Sequence, residues 1–101
     1  MVGVQITTRT DIGRNALKQH IADANSNANK ALKKLLRMIS GSRGEPFLIQ
    51  TVREEPYTVR ILVADKMLQQ VMKPEALVDK AVETMGANGA KRGVDYEVRG
   101  V

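Results

Sequence analysis

Lys30, Lys33, Lys34 and Arg37 follow one another at spacings of three, one and three. On a helix, at 100° per residue, they fall within an arc of about 100°. Ala31, Leu32, Leu35, Leu36, Met38 and Ile39 take the other side, and no acid interrupts the row. Four cations in line can each neutralise a phosphate and release its counterion, which is the chemistry of nucleic-acid backbone binding. Arg43, in the stretch that follows, and Lys91 and Arg92 further along the chain extend the set if the fold brings them near. The expected nucleic-acid-binding residues are therefore Lys30, Lys33, Lys34, Arg37, Arg43, Lys91 and Arg92, with DNA and RNA equally open. The plain alternative is a solvated helix face whose lysines favour the helix C-terminus.

Other chemistry is thinly supplied. His20 is the only histidine, with Lys18 and Asp23 close by in sequence. No serine or second carboxylate stands at a readable spacing from it, so a general-base role has little support. The adjacent Glu54 and Glu55 read as a solvated turn. Asp95 and Glu97 share one strand face with Arg99, which can pair with them. There are no cysteines, which removes thiol nucleophiles and Cys-ligated zinc together. No His/carboxylate grouping resembles a metal site, and no cofactor or metal is expected. The segment from Gly86 to Gly93 is glycine-rich and basic, but a P-loop joins a strand to a helix and ends in Lys-Ser/Thr. This one joins a helix to a strand and reads as a loose connection.

The chain has 101 residues, 43% hydrophobic and 27% charged, with a net charge of +5. That describes one globular domain over residues 1–101. The charge is lopsided: residues 1–45 hold eight Lys/Arg against three acids, while 46–101 are balanced. Such asymmetry points to an anionic partner. The lack of cysteine favours a reducing compartment, and the first residues lack the basic and apolar regions of a leader, so a cytoplasmic location is expected. No apolar run approaches the length of a membrane span.

The elements that must carry these residues read as follows. Val2, Val4 and Ile6 alternate with polar residues as a strand. Thr10 or Asp11 supplies an N-cap. Leu17, Ile21, Ala24, Ala28, Ala31, Leu35 and Met38 then repeat at helical spacing up to Gly41. Pro46 to Val52 reads as a second strand, Arg53 to Pro56 as a turn, and Tyr57 to Val63 as a third strand, making an antiparallel hairpin. Asp65 caps a short helical turn, Pro74 opens a helix that closes at Gly86, and Val94, Tyr96 and Val98 mark a last strand. The order β-α-β-β-α-β predicts an α+β fold of the ferredoxin-like kind, a four-stranded antiparallel sheet with its helices on one face.

One helix over residues 12–39 would run about 42 Å against strands of about 23 Å. Either it breaks at the Asn-rich stretch 25–29, the favoured reading, or its end overhangs the sheet and packs on another subunit. The sheet face away from the helices would carry Leu48, Gln50, Val52, Thr58, Arg60 and Leu62, half apolar, as a face that meets a partner would. Phe47, Tyr57 and Tyr96 fall on the core side, so base stacking is not the expected mode. The reading is a basic binding module for nucleic acid, homo-oligomeric, with no membrane partner. The alternative is a protein-interaction or assembly subunit, such as an accessory protein of a mobile element or virus, joined through the sheet face or the long first helix.

Overall fold

A computed structural model describes residues 2–24, 34, 35, 38 and 47–101. The elements run β1 (Gly3–Thr8), α1 (Asp11–Ala24), β2 (Phe47–Glu54), β3 (Tyr57–Val63), α2 (Lys66–Val71), α3 (Pro74–Ala87) and β4 (Tyr96–Gly100). The four strands form one antiparallel sheet in the order β2-β3-β1-β4. The fold is α+β, with three helices among the described residues. Whether the first helix continues through 25–29 lies outside them.

Period-two alternation places Val4 and Ile6 of β1, Val59, Ile61 and Val63 of β3, and Tyr96 and Val98 of β4 in one buried cluster. Ala16 and Leu17 from α1, Leu68 from α2, and Leu77, Ala81 and Met85 from α3 complete it. Phe47 and Tyr57 pack against this cluster and Tyr96 lies wholly within it. All three aromatics therefore sit on the core side. Burying each large apolar side chain contributes about 1.5–3 kcal/mol, which is what fixes α1 and α3 against the same face of the sheet.

Local chemistry sets the helix starts. Thr10 is the N-cap of α1: its Oγ1 accepts from the Gly13 N–H at 3.1 Å. The Asp65 carboxylate accepts from the Leu68 N–H at 3.1 Å and opens α2. Pro74 stands in the first turn of α3, where its missing N–H goes unneeded. That helix runs past Gly86 to Ala87.

Two expectations shift at the hairpin. The strands extend through Glu54, so the turn shrinks to Glu55-Pro56, joined by a cis peptide. The ladder also slips between Thr51 and Arg53: Thr51 faces Val59 and Arg53 faces Thr58, leaving Val52 as the extra residue of a β-bulge.

The 86–93 segment is held down rather than loose. Ala90 N–H donates to Met85 O at 3.0 Å, Gly93 N–H to Tyr96 O at 2.7 Å, and Asp95 N–H to Lys91 O at 2.8 Å. Gly89 and Gly93 have φ of 86° and 85°, a left-handed backbone that glycine adopts without strain.

Candidate nucleic-acid interface

Of the cations singled out from the sequence, Lys30, Lys33, Arg37 and Arg43 lie outside the described residues. Lys34 is exposed on a helical stretch. Lys91 is exposed, and its backbone N–H is held by the Asp95 carboxylate at 2.8 Å. Arg92 lies along the outer edge of β4, where its Nη2 donates to Val98 O at 3.4 Å. These last two therefore border β4 at the edge of the sheet.

A different set of cations is gathered on the sheet face opposite the core. Gln50, Arg60, Gln5 and Arg99 stand in one register row across all four strands: Gln50 faces Arg60, Arg60 faces Gln5, and Gln5 faces Arg99. The next row holds Arg53, Thr58, Thr7 and Glu97. Arg53 joins this face because of the bulge. Simple alternation from Ile49 and Thr51 would have turned it to the core side, and the extra residue reverses the parity. From strand spacing and rise, the Cα atoms of Arg60 and Arg99 sit roughly 10 Å apart, and those of Arg53 and Arg99 roughly 16 Å.

The arginines are held open. Arg60 Nε donates to Gln5 Oε1 at 2.8 Å, which orients the guanidinium along the row. Among the described residues, neither Arg53 nor Arg99 has a carboxylate partner. Glu97, the acid in these two rows, is engaged by Arg9 at 3.4 Å rather than by Arg99. A depression of about 200 Å³ lies between Gln5, Thr7, Val52, Arg53, Thr58, Arg60 and Arg99. A second, of about 330 Å³, lies beside Arg9 and Glu97. Both are open, and the Gln5 amide and Thr7 hydroxyl, which can donate to oxygen anions, line each of them; the second also holds the Glu97 carboxylate and Val98. Thr58 uses its own hydroxyl locally, donating to Pro56 O at 2.9 Å.

Asp95 does not share the face of Glu97 and Arg99, contrary to the simple alternation. It precedes β4 and turns inward, with 7% of its surface exposed. Its carboxylate accepts from the Lys91 N–H at 2.8 Å and from the Thr10 hydroxyl at 2.7 Å, and its carbonyl accepts from the Arg9 N–H at 2.8 Å. The two side-chain bonds, led by that from Lys91, hold its carboxyl below the ordinary 3.8. One residue thus ties the start of α1, the 91–95 turn and the start of β4, fixing where Arg9, Glu97 and Arg99 emerge. Gly13 permits this closeness: a Cβ there would clash with the Asp95 carbonyl oxygen.

His20 is 8% exposed. It lies one helical turn after Ala16 and Leu17, on the stripe that meets the core. Burial holds its pKa below 6.5, Lys80 adds to that effect, and Asp23 opposes it. Nδ1 is buried without a partner among the described residues. His20 is therefore a neutral, packed side chain.

No group of three or more metal-ligating side chains occurs among the described residues, and none of the helices described is long and apolar enough to cross a membrane. Comparison of the chain with protein-family models, curated proteins and solved structures returned no match.

Proposed function

We propose that this protein binds nucleic acid through its phosphate backbone, using the open sheet face as the principal contact. The observation that carries the reading is the grouping of Arg53, Arg60 and Arg99 on one face, none of them with a carboxylate partner among the described residues, amid Gln5, Gln50 and Thr7. Guanidinium forks match phosphate oxygens bidentately, and neighbouring amides add donors without sequence preference. With every aromatic turned to the core, the face offers backbone contact rather than base stacking. Lys30, Lys33, Lys34, Arg37 and Arg43 form a second candidate contact on the same polymer, and Lys91 and Arg92 its border at β4.

The same reading takes the architecture as ferredoxin-like. What supports it is the strand order, which read from the β4 edge runs 4-1-3-2, with the first and last helices packed on one face. It also takes the protein as acting in the cytoplasm, for which the cysteine-free composition is the support.

The test is fluorescence anisotropy with labelled single- and double-stranded oligonucleotides at low salt. One variant carries R53A, R60A and R99A; another carries K30A, K33A, K34A and R37A. The expected outcome is a loss of at least roughly tenfold in affinity for the arginine variant. Undiminished binding by that variant, with loss confined to the lysine variant, moves the site to the 30–37 stretch. Absence of wild-type binding at low salt removes the function.

A further inference from the structure

The two edges of the sheet are treated differently. Along β4 the outward carbonyls are occupied: Gly93 N–H donates to Tyr96 O and Arg92 Nη2 to Val98 O. The strand itself is only five residues long. Short length, an overlying loop and a cation on the edge are the ordinary protections against pairing with another chain. β2, the terminal strand on the other side, is eight residues long. Among the described residues its only ladder is to β3. From Phe47 to Val52 it carries no charge and no proline, while Leu48 and Val52 are 49% and 40% exposed. The bulge at Val52 bounds the regular segment at its far end.

We propose that β2 pairs antiparallel with the β2 of a second copy of this chain, forming a two-fold dimer with a continuous eight-stranded sheet. Register follows from side-chain parity, because residues directly opposite must share a face. Centring the pair on Gln50 puts Gln50 against Gln50 of the partner subunit, where the two amides hydrogen-bond each other. Leu48 then meets Val52 of the partner subunit, twice over. Leu48 packs beside the buried Leu62 on β3, so each meeting covers two side chains, Leu48 and Val52 of the partner subunit, that the monomer leaves exposed. Arg53 and Glu54 fall outside the paired segment, so no like charges oppose. Five residues from each copy make a small interface, which gives reversible association. The dimer does not depend on nucleic-acid binding. It sets two arginine faces side by side on one surface.

The chain has no cysteine, so a single introduced thiol reports the geometry cleanly. Cα atoms directly opposite in an antiparallel pair lie about 4.5–5.5 Å apart, within disulfide reach. Q50C is expected to form a covalent dimer under mild oxidation much faster than E83C, placed on the exposed side of α3. Sedimentation tests the register on two further variants, both altered only at exposed positions and checked for folding by circular dichroism. L48E/V52E opposes like charges across the dyad and should stay monomeric. L48K/V52E opposes unlike charges and should associate roughly tenfold or more tightly than L48E/V52E. A wild-type protein that stays monomeric through the micromolar range, Q50C oxidising no faster than E83C, or equal association of the two double variants would each overturn the proposal.

Discussion

Gly13→Ala separates two effects that act in opposite directions. In an exposed helix interior, glycine to alanine stabilises by about 1 kcal/mol. Gly86, near the end of α3, has open space within 4 Å of the point a Cβ would take, so Gly86→Ala should be neutral to stabilising by up to about 1 kcal/mol. At Gly13 the added methyl meets backbone: it falls far inside van der Waals contact with the Asp95 carbonyl oxygen and lies 2.9 Å from its carbon. Neither atom can rotate away. Overpacking of this kind costs about 2 kcal/mol. Displacing Asp95 also weakens the 2.8 Å bond from the Arg9 N–H, worth about 1 kcal/mol. Against the propensity gain, the net loss is about 2 kcal/mol, or a fall in Tm of roughly 8–16 °C for a domain of this size. Urea and thermal denaturation followed by circular dichroism measure it. Equal or greater stability of Gly13→Ala would refute the close approach of α1 to Asp95, and with it the clasp that sets β4.

Burial and hydrogen bonding also make the stability depend on pH at two residues. His20 is held neutral, its pKa below 6.5, so the folded state binds fewer protons there than the unfolded chain. Stability from this group is complete above pH 6.5 and falls as pH drops below it; urea midpoints between pH 7.5 and 5 should fall for wild type and less for His20→Leu. Asp95 titrates below 3.8 in the fold, so its contribution is present above that pH and is lost as pH falls further. Asp95→Asn should unfold at lower urea than wild type at pH 7 and show a shallower decline below pH 4. Identical acid profiles for wild type and either variant would contradict the corresponding assignment.

The sequence carried the strands well because period two needs only near neighbours. Val4 and Ile6, Val59 and Ile61, and Tyr96 and Val98 all turn inward as their alternation demands. The same alternation places Arg60 and Arg99 outward, yet it does not assemble them. Their neighbourhood depends on β1 lying between β3 and β4, which is a property of strand order. Arg53 is beyond reach for a sharper reason: its face is set by the extra residue at Val52, and no local signal marks that bulge. His20 does have a signal, its helical spacing from Ala16 and Leu17, which its polarity masks. The bond that ties Asp95 to Thr10 has none, because the two are 85 residues apart. The lysine stripe remains a reading of spacing alone.

The measurement that bears most directly on the binding face is the salt dependence of oligonucleotide affinity, compared between wild type and the variant R53A/R60A/R99A. Three phosphate contacts contribute about −2.7 to the slope of log K against log salt on duplex, and about −2.1 on single strands. Removing the three arginines should flatten the wild-type slope by about that amount. A slope left unchanged by their removal would contradict the assignment of the open sheet face.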